Sequence, residues 1–136
     1  MNNVIVRDYK DDDLDDVNEL LKDSFSIEKE NFDDSCFFEV VVEVNDKTIG
    51  YLLLTKVLNP IEKRHYFLVD YVCVSEEYRR QGFGKKLLDY AYMIAKRENG
   101  MYLQLTCSYF RIAAHHLYEA CGYVKRESDI YRKEII

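Results

Sequence analysis

Apolar and polar positions divide the chain into alternating strand-like and helix-like segments. The apolar run Val4–Arg7 predicts a first strand, and apolar residues at helical spacing behind acidic residues predict a helix over about 12–23. Three β-rich runs follow, over Phe37–Val44, Thr48–Val57 and Tyr66–Val74. Asn45-Asp46 separates the first two runs and Asn59-Pro60 the last two, and both pairs are typical of turns. The three runs therefore predict a meander of antiparallel strands.

The apolar period changes at Gly82, from that of a strand to that of a helix. Helical spacing continues to about Glu98, and Asn99-Gly100 is a typical helix stop. A strand over Met101–Cys107 and a second amphipathic helix ending at Gly122 are predicted next. Two further strands are predicted, over Tyr123–Arg126 and Ile130–Lys133.

The predicted element order is β-α-β-β-β-α-β-α-β-β. This order is typical of an α/β fold in which helices flank a mixed, mostly antiparallel twisted sheet. The 136 residues contain no repeat or linker, so we expect a single domain over 1–136. A chain of this length buries enough surface to fold without a disulfide or metal scaffold.

The net charge of -6 argues against binding to nucleic acid or to an anionic membrane, which requires a basic face. The acidity is local, because Asp11 to Asp34 contains eleven acidic and two basic residues and the remainder of the chain is slightly basic. This acidic segment either attracts a cationic ligand or is a solvated helix face.

The four cysteines show no spacing typical of metal ligands. They are Cys36, Cys73, Cys107 and Cys121, each within an apolar run. We interpret them as small buried residues in a reducing compartment, with no metal bound. The sequence shows neither a signal peptide nor an uncharged run of membrane-spanning length, so we expect a cytoplasmic protein that does not bind membranes.

The stretch from Val72 to Lys86 combines a strand, a glycine turn and a helix start. Gly82 and Gly84 allow close approach of the backbone, and four cations lie around the start of the helix. A helix N-terminus offers free N–H groups and partial positive charge, so this arrangement predicts a phosphate-binding turn. The patterns of a P-loop and of a dinucleotide-binding turn are absent. The alternative is a tight turn with a solvated basic face.

Two motifs in this chain resemble those of the GNAT superfamily of N-acetyltransferases. Arg79-Arg80-Gln81-Gly82-Phe83-Gly84 resembles the family's Arg/Gln-x-x-Gly-x-Gly/Ala pattern, and it follows a strand as the family motif does. The stretch from Ala114 to Tyr123 is similar to the family's A-x-x-x-Tyr-Glu-x-x-Gly-Phe/Tyr pattern. The resemblance implies a GNAT-like fold and transfer of an acetyl group from acetyl-CoA to an amine.

The resemblance also implies how acetyl-CoA is bound. Backbone N–H groups from about Gln81 to Lys85 hold the pyrophosphate. The strand before the turn splays from its neighbour at a β-bulge, which leaves backbone groups of Val72 and Val74 free to pair with the pantetheine arm. The N–H of Val72 faces the thioester carbonyl and stabilises its oxyanion. The complete set implied for the cofactor is Val72, Cys73, Val74, Arg79, Arg80, Gln81, Gly82, Phe83, Gly84, Lys85 and Arg111.

Tyr118 and Asp70 are the candidate catalytic residues. The resemblance implies that Tyr118 protonates the departing CoA thiolate and that Asp70 binds or deprotonates the amine. Packing is the alternative role of Tyr118, and a hydrogen-bonded structural carboxylate is that of Asp70. Arg111 stands where the family usually has asparagine, so it contacts CoA, contacts the acceptor or begins the helix. His115 and His116 are interpreted as surface or helix-face residues, with a role as bases as the alternative.

Cys73 is a poor candidate for a covalent acetyl intermediate. The superfamily works by direct attack in a ternary complex, and in a regular strand Cys73 lies on the face opposite Asp70, Val72 and Val74. The expected acceptor is a small primary amine such as a polyamine, aminoglycoside, amino acid or amino-phosphonate. A CoA-binding sensor without turnover and a protein N-terminal or lysine acetyltransferase are the alternatives, and a homodimer is compatible with the family.

Overall fold

The computed structural model describes residues 3–21 and 34–136. The chain divides into two compact units, Met1–Thr106 and Cys107–Ile136. The first unit contains β1 (Val4–Asp8), α1 (Leu14–Leu20), β2 (Phe37–Val44), β3 (Lys47–Asn59), β4 (Arg64–Val74), α2 (Phe83–Arg97) and β5 (Leu103–Gln104). The second unit contains α3 (Ile112–Ala120).

The strands of the first unit form one sheet in the order β1-β2-β3-β4-β5. All neighbours are antiparallel except β4 and β5, which run parallel and are joined through α2. Asn45 and Asp46 have φ of 50° and 67°, so they form the two-residue hairpin turn that the sequence predicts. The expected mixed, mostly antiparallel α/β fold is confirmed.

The two faces of this sheet carry different helices. On one face, Val17 and Leu21 at α1 pack with Val41 of β2 and Tyr51 of β3. The residues of β3 that alternate with Tyr51 point to the other face, which α2 covers. A Cβ added to Gly50 would overlap a methyl of Val42 at 2.6 Å and lie 3.3 Å from a methyl of Leu87, so a side chain at position 50 would displace β2 and press against α2.

Three element predictions need correction. The predicted strand Met101–Cys107 shortens to Leu103–Gln104, because its only ladder partners are Phe67 and Leu68 of β4. The predicted strands Tyr123–Arg126 and Ile130–Lys133 are wrong, since residues 123–136 form neither strand nor helix. A strand requires the backbone of a partner strand, which a short run of sequence does not supply by itself.

The first predicted helix is confirmed over the residues of α1. A single 3-10 turn, Asp11–Asp13, precedes it, and Leu21 caps its C-terminal end. Residues 22 and 23 of the predicted helix lie outside the described residues, as do positions 22–33 of the acidic segment. The predicted α2 is confirmed at both ends, with Gly82 before it and Glu98 after it.

Candidate functional site

A β-bulge interrupts β4 near its C-terminal end. Tyr51 of β3 pairs with Cys73 and Leu53 pairs with Asp70, so two residues of β4, Tyr71 and Val72, lie opposite one residue of β3. Tyr71 has a φ of 54°, which is a strained backbone conformation for a residue with a Cβ. No sequence pattern marked Tyr71, because such strain arises from the pairing of β4 with β3.

The bulge changes which residues share a face. Because Tyr51 and Leu53 lie two positions apart on β3, their partners Cys73 and Asp70 lie on the same face of the sheet. The expectation that Asp70 and Cys73 point to opposite faces is therefore wrong. It assumed a regular strand, and the extra residue of the bulge reverses the alternation. Asp70 is exposed on the face that carries α1.

The C-terminal half of β4 is paired with a strand on one side only. Its parallel ladder with β5 ends at Leu68, whereas β4 continues to Val74 along β3. Among the residues that the structure describes, the backbone edge of β4 beyond Leu68 that faces away from β3 therefore has no strand partner. An extended chain with amide groups, such as a pantetheine arm, fits an edge of this kind.

The turn between β4 and α2 places a helix N-terminus directly beyond this open edge. Arg80 and Gly82 have φ of 62° and 85°, and Gly82 is the N-cap of α2. No side chain caps this helix end, and its first turn contains no acidic residue. Among the described residues, no side-chain carboxylate of this turn therefore neutralises the first N–H groups and the partial positive charge of α2. These features fit a diphosphate.

Several cationic and polar side chains of the turn support the turn itself. The guanidinium of Arg79 donates to the carbonyl oxygen of Val74 at 3.0 Å, and the amide of Gln81 donates to the carbonyl oxygen of Glu77 at 3.2 Å. Lys85 pairs with Asp89 at 2.7 Å. Phe83 is buried at the base of the turn against the ring of Tyr78. The turn therefore offers mainly backbone N–H groups, while the side chains fix its shape.

A buried ion pair between Arg7 and Asp13 holds the start of α1 on its face of the sheet, opposite to the face that α2 covers. Asp13 is 4% exposed and accepts hydrogen bonds from Arg7 at 2.8 and 2.9 Å, from the N–H of Lys10 and from the hydroxyl of Thr48. Burial alone raises the pKa of Asp13, but these donors together lower it to about 2. Asp16 accepts the N–H of Thr48 at 3.2 Å. These bonds position the start of α1 over β3.

The hydrogen-bonded pair of Glu39 and Tyr51, on the face that carries α1, was not identified from the sequence. The half-buried Glu39 of β2 accepts a hydrogen bond from the hydroxyl of Tyr51 at 2.8 Å. Burial and the charge of Glu39 raise the pKa of Tyr9 to about 12, and the pKa of Tyr51 is raised for the same two reasons. Glu39 is a charged residue within a β-rich run of apolar residues, and this was the sequence signal that could have identified it.

The thiol of Cys73 is not set up as a nucleophile. It packs against the cluster formed by α1, β2 and Tyr51, and burial raises its pKa to about 11. At neutral pH the reactive thiolate is therefore a very small fraction of the population. The half-buried side chain of Cys73 acts as a packing residue of this face. The expectation that all four cysteines are buried is wrong, because Cys36 is exposed and the other three are half-buried.

The second unit contains Tyr118 on α3. Gly122, with a φ of 89°, ends the helix, and the N–H of Tyr123 donates to the carbonyl oxygen of Tyr118 at 3.0 Å. The rings of Tyr118 and Tyr123 lie edge to face, 6.0 Å apart. Burial raises the pKa of Tyr118, although Arg111 lowers it. Tyr118 is thus a fixed, protonated phenol at neutral pH.

The neighbouring candidates of α3 have structural partners or lie at the surface. Arg111 is the exposed residue that precedes α3. His115 hydrogen-bonds through its ring to the carbonyl oxygen of Ser108 at 2.9 Å, and His116 is exposed. Among the described residues, no cluster of three or more His, Cys, Asp and Glu is arranged to hold a metal ion. No helix in the same ranges has the length and apolar character of a membrane span.

Comparison with known proteins places these features in one family. The model of the acetyltransferase (GNAT) family matches residues 3–123. N-acetyltransferase family 8 member 3 of Rattus norvegicus is 28% identical over 97 residues, which cover 71% of this chain and 42% of that protein. The chain therefore spans less than half the length of the curated relatives it matches.

Solved structures share the fold at low sequence identity. Ribosomal-protein-alanine N-acetyltransferase from Brucella melitensis biovar Abortus 2308 has a TM-score of 0.80 at 17% identity, covering 98% of this chain and 99% of that one. AAC(6')-Iy, in complex with the bisubstrate analog CoA-S-monomethyl-acetylneamine, has a TM-score of 0.80 at 13% identity, covering 98% and 99%. The family uses acetyl-CoA as its co-substrate. The chain belongs to the GNAT family of acetyltransferases.

Proposed function

We propose that this protein is an N-acetyltransferase that transfers the acetyl group of acetyl-CoA to a small primary amine by direct attack in a ternary complex. The observation that carries the proposal is the continuity of the open β4 edge with the uncapped N-terminus of α2. An extended amide-containing arm fits the edge, and a diphosphate fits the helix start. Family membership supports CoA as the ligand with both parts.

Backbone groups carry most of the proposed CoA binding. N–H groups from Gln81 to Lys85 hold the pyrophosphate, and Val72 and Val74 pair with the pantetheine amides. The N–H of Val72 in the bulge donates to the thioester carbonyl, where negative charge develops during attack. The side chains of Arg79, Arg80 and Arg111 supply further positive charge, and Cys73, Phe83 and Gly84 shape the backbone around the ligand.

Asp70 is the proposed amine anchor and base. An alkyl amine has a pKa of about 10, so only about one molecule in a thousand is a free base at neutral pH. Asp70 lies on the β4 segment next to the bulge and is exposed on the α1 face, where a ligand reaches it. Its carboxylate binds the ammonium group and accepts its proton, directly or through water, as the nitrogen attacks the thioester carbon.

Tyr118 is the proposed acid for the other half of the reaction. When the new C–N bond forms and the C–S bond breaks, the CoA thiolate leaves and takes the phenolic proton. The second proton lost by the nitrogen returns Tyr118 to the phenol through water, and Asp70 releases the first proton to solvent. This assignment is supported by the family motif around Tyr118 and by its raised pKa, which keeps the proton in place at neutral pH.

The location and binding partners of the protein belong to the same proposal. Four cysteines without a disulfide among the described residues fit a reducing compartment, so we propose a cytoplasmic enzyme. We propose that it binds neither nucleic acid nor membranes, in keeping with its net negative charge.

The decisive experiment is a screen of primary amines with acetyl-CoA, following release of the CoA thiol and the acetylated product by mass spectrometry. Turnover of at least one amine is expected. Tyr118→Phe should lower kcat by about a hundredfold and leave acetyl-CoA affinity within about twofold. Tyr123→Phe is the matched control, because it removes a hydroxyl from the ring that contacts Tyr118. Asp70→Asn should lower kcat/KM by a comparable factor.

Two outcomes would contradict this proposal. Acetyl-CoA binding without turnover of any amine would indicate a sensor rather than an enzyme. Acetylation of protein N-termini or lysines, with no small amine accepted, would indicate a macromolecular acceptor. If Tyr118→Phe abolished acetyl-CoA binding, the role of Tyr118 would be structural.

A further inference from the structure

We propose that Glu39 binds a second ammonium group of the acceptor, so that the preferred acceptors are diamines or longer polyamines. This inference rests on the proposed acetyltransferase function and names the substrate class of the same site. Asp70 holds the amine that reacts, and Glu39 holds the amine that does not.

Strand register places Glu39 and Asp70 on the same face of the sheet. Glu39 of β2 pairs with Leu53 of β3, and Leu53 pairs with Asp70 of β4. Directly paired residues share one face of a sheet, so all three side chains lie on the face that carries α1. The backbone positions of the two carboxylates are two strand spacings apart, or roughly 9–10 Å.

The row formed by Glu39, Leu53 and Asp70 is complementary to a diamine. Leu53 is half-buried and separates one carboxylate from the other, just as methylene groups separate the two ammonium groups of an α,ω-diamine. A dication places one positive charge near each carboxylate and an alkyl chain over Leu53. An acceptor with its own carboxylate or phosphonate, such as an amino acid, is instead repelled by Glu39.

Glu39 is also held in place. The hydroxyl of the buried Tyr51 donates to its carboxylate at 2.8 Å, and Tyr51 is itself packed against α1. A carboxylate whose orientation is fixed before binding loses less conformational entropy when the ligand arrives. Tyr51 is therefore the positioning residue for Glu39.

The test compares straight-chain diamines, from diaminopropane to diaminooctane, with monoamines of the same length. For the unaltered protein, kcat/KM is expected to favour diamines by about tenfold or more, with an optimum at one chain length. Glu39→Gln should bring the diamine-to-monoamine ratio close to one. Glu62→Gln removes the same charge from an exposed turn of the same unit, and it should leave the ratio unchanged.

Tyr51→Phe separates positioning from simple destabilisation. It should raise KM for diamines with little change in kcat, whereas a general loss of folded protein lowers the apparent kcat for all amines equally. Tyr51→Phe also serves if Glu39→Gln does not fold.

The possible failures are distinguishable. If no amine is acetylated, the proposed function fails. If amines are acetylated with no preference for diamines, or if Glu39→Gln and Glu62→Gln change the preference equally, the acetyltransferase proposal stands and the role of Glu39 is overturned.

Discussion

The turn that begins α2 and the sheet face that carries α1 are built in opposite ways. The turn is formed by neighbouring residues of the chain, and what it presents is mainly backbone N–H groups at Gly82 and beyond. The α1 face is formed by residues far apart in sequence, and what it presents is side chains, including Glu39 and Asp70. The first arrangement suits a ligand that is the same throughout a family. The second allows specificity to vary while the fold is retained.

The two regions also depend on different forces. Left-handed backbone conformations at Arg80 and Gly82 give the turn its shape. Charged hydrogen bonds, centred on Asp13, hold α1 over the sheet. A substitution in the turn should therefore impair the turn and spare the α1 face, and a substitution at the α1 face should do the reverse.

The largest effect is expected from Asp13→Asn. The substitution removes the charged acceptor of two hydrogen bonds from Arg7, which keeps Glu43 at 3.1 Å as its remaining anionic partner, and it should lower the free energy of unfolding by about 2 kcal/mol. The folded-state pKa of Asp13, about 2, lies below its ordinary value of 3.8, so ionised Asp13 stabilises the fold. This contribution is complete above the ordinary pKa and is lost as the pH falls through about 4 to about 2.

Urea unfolding of both proteins across this pH range measures the effect. The stability of Asp13→Asn should depend less on pH than that of the unaltered protein. Asp11→Asn, at an exposed position of the same 3-10 turn, is the control and should change stability by less than about 0.5 kcal/mol. Equal losses for the two variants would mean that overall charge, rather than the contacts of Asp13, stabilises α1.

The same contrast explains what could be predicted from the sequence. The turn at Gly82 and the ends of α2 were predicted correctly because glycines, cations and apolar spacing encode them locally. The face of Asp70 was predicted wrongly because the bulge at Tyr71 depends on the pairing of β4 with β3. Glu39 was missed for a related reason, since only the register of three strands places it in a row with Asp70. The prediction of two strands after residue 122 was wrong because the local sequence does not supply a partner strand.

A smaller effect on folding, and a larger one on ligand binding, is expected from Gly82→Val. A β-branched residue at a φ of 85° costs about 1–2 kcal/mol of stability and distorts the N-terminus of α2. Acetyl-CoA affinity, measured by titration calorimetry, should fall by about a hundredfold, or about 2.7 kcal/mol.

Gly122→Val is the matched control for this substitution. Gly122 also has a positive φ, 89°, and a Cβ at either glycine meets no atom within 4 Å. The two variants should therefore lose similar stability, but only Gly82→Val should lose acetyl-CoA affinity. If Gly122→Val weakened acetyl-CoA binding as much, the loss would reflect general destabilisation, and the special role of the turn would be disproved.

The smallest effect is expected at Cys73, on the strand that connects the two regions. Its half-buried thiol has a pKa of about 11, so alkylation by iodoacetamide at neutral pH should be much slower than at the exposed Cys36. Cys73→Ala should cost about 1 kcal/mol of stability through lost packing against α1 and change kcat by no more than about twofold. Tryptic mapping of alkylated protein and steady-state rates with the best amine measure both expectations.

A large loss of kcat in Cys73→Ala, together with an acetylated Cys73 trapped by acid quenching, would replace direct attack with a covalent intermediate. Unchanged turnover instead leaves backbone groups of β4 to handle the acetyl group and carboxylates of the α1 face to handle the amine.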